Sequence, residues 1–294
     1  MNTETHFCLR VDVDTFEGLK KGIPQIYTIV KRLGIPTTIY LSLGKYATGR
    51  NIFRKIRHKE KISSTISPWR RNSIRSLFRG VLLPPARIRE SAKSLLKNYN
   101  DKELFEIHPH GYNHVEWSSG FRRFSFEKTS EFIEKIFIEY NQIFNSVPIT
   151  NAAPNFQTNK FYFQIMKEKG VEFLADYKYS EPFQLQFETR EKKSQQILQL
   201  PVTEPTFEEL LQKGKGIEEI KKIYKKNFKK YTDQSTDYVC FYLHAIYEPF
   251  KLQKLLEDLL NLVIKLDMKP VTHKSYKDVV KKTLAIRYEE LIQR

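Results

Sequence analysis

Cys8-Leu9-Arg10-Val11-Asp12-Val13-Asp14, followed far downstream by His110-Gly111-Tyr112-Asn113-His114, decides the reading of this chain. Apolar residues flank both acids, as at the end of a buried strand, and the two-residue spacing turns both carboxylates to one face. One can bind a metal while the other handles protons. Two imidazoles separated by three residues converge on one cation if the segment between them turns helically. Asp14 then completes a set of two histidines and one carboxylate, which keeps positions open for water and substrate.

Working outward, residues 20–33 carry Ile23, Ile26, Tyr27 and Val30 at helical spacing, and Thr37-Thr38-Ile39-Tyr40-Leu41 is β-branched and apolar. A short strand around Phe105-Glu106-Ile107 leads into the histidine motif, and a helix over 126–144 follows, with Phe132, Ile136 and Tyr140 on one stripe. Strands are predicted at 149–153, 171–175, 197–202, 238–243 and 269–272, separated by helices at 159–168, 207–231 and 252–266 and followed by a closing helix. About seven strands alternating with helices predict an α/β fold with a parallel sheet closed as a barrel. Asp14, His110, Pro154, Asp176, Glu204 and His244 all fall at or just beyond predicted strand ends, where such folds gather their chemistry.

The 294 residues are read as one domain, 1–294, with an insertion at about 50–98. An apolar fraction of 40% with 13% aromatics supplies a core, and 11 glycines and 13 prolines exclude a low-complexity chain. The two cysteines, Cys8 and Cys240, sit in apolar runs and read as buried free thiols in a reducing compartment, which excludes a disulfide framework or a cysteine-rich zinc module. The polar start Met1-Asn2-Thr3-Glu4-Thr5 is no secretory signal, and no apolar run reaches the roughly 20 residues that span a bilayer. A cytoplasmic protein, peripheral on the inner face of the membrane, is expected.

The net charge of +16 is concentrated in the insertion, where fourteen Lys or Arg stand against Glu60 and Glu90. Ile74, Leu77, Phe78, Val81 and Leu82 repeat at helical spacing with Trp69 upstream, and Arg70, Arg71, Arg75 and Arg79 take other positions. That is the composition of a helix lying in an anionic membrane interface. An ordinary docked surface helix is the alternative, and no groove-reading or stacking motif favours nucleic acid.

Taken together, these stretches resemble the polysaccharide deacetylase superfamily, also called the NodB-homology or carbohydrate esterase family 4 group. Leu9-Arg10-Val11-Asp12-Val13-Asp14-Thr15-Phe16, Pro201-Val202-Thr203-Glu204-Pro205-Thr206-Phe207 and Leu243-His244-Ala245 resemble the branch containing the deformylase of undecaprenyl-phosphate 4-deoxy-4-formamido-arabinose. The resemblance runs at low density over about residues 6–280 and includes a basic, aromatic insertion. It implies a distorted barrel of the NodB type, Asp14, His110 and His114 as metal ligands, Asp12 as catalytic base and His244 as catalytic acid. The implied ion is divalent: zinc first, with iron, cobalt, nickel or manganese as alternatives. Asp176 matches a carboxylate that tunes the acid and base, and Pro154, Asn155 and Glu204 are expected at the substrate.

One departure bears on chemistry. The family places an arginine beside the base after the third motif strand, whereas Ala153-Pro154-Asn155-Phe156-Gln157 puts a neutral amide there, so Lys178 is the candidate for the missing charge. His108 stands where the family has glycine and is read as supporting the site from outside the ligand set. The resemblance implies removal of a formyl or acetyl group from an aminosugar, lipid-linked or otherwise anionic, in envelope or lipopolysaccharide modification. The competing readings are a deacetylase of a soluble glycan precursor and a catalytically silent barrel that binds an anionic surface.

Overall fold

The computed structural model describes residues 4–46, 86–97, 99, 101, 103–280 and 283–292. Its organising element is strand β1 (His6–Val13), whose alternation separates two environments. Phe7, Leu9, Val11 and Val13 pack into the layer of surrounding helices, while Cys8 joins a separate apolar cluster with Tyr238, Cys240 and Tyr242. Arg10 and Asp12, in phase with Cys8, are buried with that inner set.

β1 lies between β2 (Thr37–Leu41) and β10 (Tyr238–His244), all parallel, so that Asp12 is opposite both Tyr40 and His244. β5 (Phe105–Pro109) extends this sheet beyond β2, and β11 (Lys269–Pro270) pairs with the start of β1. Between β2 and β5, the described ends of the insertion form a short antiparallel pair, β3 (Lys45–Tyr46) and β4 (Ala86–Arg87). A second sheet has the order β12-β8-β9-β7-β6, from strands Leu284–Arg287, Phe183–Glu188, Ser194–Gln199, Phe173–Leu174 and Thr150–Asn151.

Backbone hydrogen bonds join the sheets at both ends. Ala152 N–H donates to Pro109 O at 3.1 Å, and Glu204 N–H donates to Cys240 O at 3.1 Å. The strand path β10-β1-β2-β5-β6-β7-β9 thus returns to β10 through residues 200–204, giving the expected α/β fold with parallel strands in a distorted ring. His273, buried between Tyr40, Tyr238 and Cys240, fills the interior toward the amino ends of the strands.

Helices form where apolar stripes and caps coincide. Ser125 caps helix Phe126–Phe144, Asn159 accepts from Phe161 N–H and Tyr162 N–H ahead of Lys160–Glu168, and Thr206 with Glu209 makes a capping box. The helices predicted over 207–231 are Phe207–Gln212 and Ile217–Asp233, parted where Gly214 takes φ +79°. Two differences from the sequence reading concern the second sheet. Phe183, Leu185 and Phe187 alternate with polar residues and make β8, which returns antiparallel into β9. The described part of the closing stretch is strand β12 followed by the short helix Tyr288–Ile292 rather than a solvated helix. Ile286 pairs opposite Leu185, and the Tyr288 ring packs edge-on against Phe163. Cys8 and Cys240 are buried free thiols, as expected. Trp69, Arg70, Arg71, Ile74, Arg75, Leu77, Phe78, Arg79, Val81 and Leu82 lie outside the described residues.

Gly22 fixes how the segment after β1 meets the end of β10, since a Cβ there would lie 2.1 Å from Ala245 O. The obstacle is backbone and cannot rotate away. Gly22→Ala is expected to lower unfolding free energy by about 1–3 kcal/mol in urea titration; an unchanged midpoint would contradict this close approach.

Candidate metal centre

Asp12 and Asp14 end β1, His110 follows β5, and His114 opens helix His114–Gly120. The turn between the two histidines is not helical as expected. Gly111 takes φ +63° and leaves no room for a side chain, because a Cβ there would sit 2.7 Å from Pro154 Cγ. This reversal brings the imidazoles together, with ring centroids 5.6 Å apart.

Both rings present Nε2 to one oxygen. Asp14 Oδ1 is 3.3 Å from His110 Nε2 and 3.5 Å from His114 Nε2, and it is buried without a hydrogen-bond donor. Ligand atoms about 2.0–2.1 Å from a tetrahedral ion lie about 3.3–3.4 Å apart, so this spacing fits a cation such as zinc. Burial penalises the Asp14 charge, yet the flanking imidazoles His114 and His110 hold its carboxyl well below the usual range. Burial lowers His114, which favours the neutral ring that a cation requires. These three residues could therefore hold a divalent ion, as expected from the sequence.

Asp12 faces the same cluster, its Oδ2 4.0 Å from His110 Nε2. It is not a free carboxylate. Arg10 Nε donates to Oδ1 at 2.7 Å and Arg10 Nη2 to Oδ2 at 2.9 Å, while Nη1 donates to Ala175 O at 2.7 Å. Burial would raise Asp12, but the guanidinium outweighs it and holds the carboxyl below its ordinary value. The charge thought missing at Gln157 is therefore on β1. Lys178 does not supply it, because its ammonium pairs with Glu209, which also accepts from Tyr242 Oη.

His244, at the end of β10, meets two acids that sequence reasoning missed. Glu208 Oε2 is 3.5 Å from His244 Nδ1, and Glu248 Oε2 accepts from His244 N–H at 3.0 Å. Both glutamates are almost wholly buried, and burial pushes Glu248 up. Their signals were positional: Glu208 lies in the first turn of a capped helix, directly after the Pro201–Phe207 motif, and Glu248 lies four residues beyond His244.

Asp176 Oδ1 accepts from Ala153 N–H at 2.7 Å and Tyr162 Oη at 3.2 Å, and no hydrogen bond links it to Asp12 or His244. Pro154 packs on Gly111, and Asn155 is exposed in the left-handed region at φ +54°. Glu204 is turned to the helical layer, where it accepts from Tyr231 Oη and Asn227 Nδ2, so the structure does not bring it to the centre. His108 bonds Glu106 at 2.7 Å, outside the Asp14–His110–His114 group.

No family model matches the chain. It is similar to a probable 4-deoxy-4-formamido-L-arabinose-phosphoundecaprenol deformylase of Wigglesworthia glossinidia brevipalpis, with 25% identity over 252 residues, 84% of each chain. Its fold is similar to that of a putative polysaccharide deacetylase from Mycobacterium smegmatis, with a TM-score of 0.63, 12% identity, and 95% of this chain and 91% of that one covered. A probable polysaccharide deacetylase from Pseudomonas aeruginosa PAO1 gives a TM-score of 0.63 at 12% identity over 94% and 91%. The resemblance read from the sequence motifs, to the superfamily and to the deformylase branch, is thus also found over most of the chain.

Burial pushes the Asp176 carboxyl up to about 7 from an ordinary 3.8. The folded protein therefore keeps this proton at pH values where the unfolded chain has lost it, and the associated stability declines as pH rises through that window. Asp176→Asn holds a neutral group throughout. The variant's stability relative to the parent is expected to be greater at pH 8 than at pH 5 by on the order of 2 kcal/mol in urea titrations. An identical difference at both pH values would contradict the buried neutral carboxyl.

Proposed function

We propose that this chain is a metal-dependent hydrolase that removes an N-acyl group, formyl or acetyl, from an aminosugar carried on a polyprenyl phosphate. The observation that carries the reading is the single buried oxygen, Asp14 Oδ1, faced by both His110 Nε2 and His114 Nε2 beside a second carboxylate. Similarity to a probable deformylase over 84% of both chains supports the substrate class.

Asp14, His110 and His114 would hold a divalent ion, zinc by the donor set, which would lower the pKa of water and offer positive charge to the developing oxyanion. Asp12 takes the proton from the attacking water as its oxygen bonds to the acyl carbon. His244 delivers a proton to the sugar nitrogen as the C–N bond breaks, releasing the free amine and formate or acetate. Glu208, 3.5 Å from Nδ1, leaves Nε2 as the nitrogen that faces the substrate. Pro154 and Asn155 line the substrate side through the turn that covers Gly111. Asp176 supports this turn through Ala153 N–H. The silent-barrel reading drew its motive from Gln157, and the Arg10–Asp12 pair removes that motive.

The substrate's lipid carrier gives the basic insertion a role at the inner face of the cytoplasmic membrane. No helix among the described residues is long and apolar enough to cross a membrane. Residues 69–82 lie outside them, and the contact proposed there is peripheral because no apolar run in that stretch reaches the roughly 20 residues that span a bilayer.

Two measurements test these statements. Asp12→Asn should retain its metal while kcat for formate or acetate release from a short-chain prenyl-phosphate N-acyl aminosugar falls about 10²- to 10⁴-fold. Mass spectrometry of the product distinguishes loss of formyl from loss of acetyl, and equal turnover by the variant would overturn the assignment of the base. Anionic vesicles should sediment the full chain and not a variant lacking residues 62–84; equal sedimentation would remove the membrane role.

A further inference from the structure

Arg10 is a charged side chain with no exposed surface, set in the interior of the strand ring at 5.0 Å from the Tyr40 ring centroid, 5.5 Å from Phe156 and 5.8 Å from Tyr242. Its three hydrogen bonds run in two directions. Two parallel bonds hold both oxygens of Asp12, and the third ties the guanidinium to Ala175 O just beyond β7, across the ring from β1. A planar fork bonded on both edges leaves the Asp12 carboxylate one orientation.

We propose that Arg10 is the positioning residue for Asp12, doing from strand β1 the work for which the related sequences place an arginine after the third motif strand. Gln157 does not disturb this arrangement, since its backbone oxygen accepts from Trp117 Nε1 and its position is held by that contact. The guanidinium lies against three aromatic rings and has no exposed surface, so the fork cannot exchange its partner for solvent. Lys at this position would keep the charge but present a point rather than a fork. The proposal rests on the N-deacylase reading for its kinetic consequence and on the Arg10–Asp12–Ala175 geometry alone for its structural one.

The test uses the zinc-loaded full chain, the prenyl-phosphate N-formyl aminosugar as probe, and Arg10→Lys. Misplacing a reacting group by about 1 Å costs on the order of a hundredfold, so kcat should fall about that much with KM and zinc content unchanged. Retained kcat, or a loss confined to KM or to zinc content, would overturn the positioning role. A second measurement is independent of turnover and of whether the Lys variant folds. In ¹H–¹⁵N spectra of arginine side chains, the parent should show an exchange-protected Arg10 Nε–H resonance that shifts in Asp12→Asn. Absence of a protected resonance responding to Asp12→Asn overturns the fork. A protected resonance together with no turnover by the parent overturns the N-deacylase reading and leaves the fork standing.

Discussion

A buried carboxylate oxygen that two imidazole nitrogens face and no hydrogen bond satisfies is the constraint around which this protein is built. Leaving such a group unpaired inside a protein is costly. The fold nevertheless directs three elements at it: the end of β1, the end of β5 and the first turn of the helix beginning at His114. Gly111 alone permits the reversal that brings the second imidazole back, because any Cβ there would strike Pro154. A cation would resolve the conflict, since it would turn the lone pairs of Asp14, His110 and His114 from an unsatisfied cluster into a ligand set.

The charges around this point are arranged in two further groups. On one side Asp12 is neutralised by Arg10, the whole pair lying in a sleeve of Tyr40, Phe156 and Tyr242. On the other, His244 stands against two buried glutamates. The two groups have different surroundings: the Asp12 carboxylate is kept ionised by a guanidinium, and the His244 ring has the buried Glu208 carboxylate beside its Nδ1. The register that sets Asp12 opposite His244 on neighbouring strands β1 and β10 is what makes the pairing possible.

Much of this could be read from the chain itself. Alternation at Asp12 and Asp14 and the paired histidines identified the centre because short-range periodicity determines which face a side chain takes. The strand ring followed from the same periodicity. What escaped were effects of tertiary contact. Arg10 sat in plain view two residues before Asp12, but nothing in the local sequence says that its fork folds back on the neighbouring carboxylate. Glu208 and Glu248 gave no periodic signal, since each reaches His244 from a separate helix start. Glu204 was misread for the complementary reason: its place at a motif strand suggested the centre, whereas pairing opposite Phe241 turns it to the helical layer. In the closing stretch, a run of charges predicts a solvated helix and masks the alternation of Leu284 and Ile286, which makes a strand once Ile286 pairs opposite Leu185.

The most direct test of the account is X-ray absorption at the zinc edge on protein stripped with chelator and reloaded with one equivalent of zinc, alongside His110→Ala and His114→Ala. The account predicts one tightly held ion per chain with two imidazole nitrogens at about 2.0–2.1 Å and a carboxylate oxygen, and loss of imidazole scattering in each variant. Zinc held equally well by both variants, or no tight site in the parent, would contradict it.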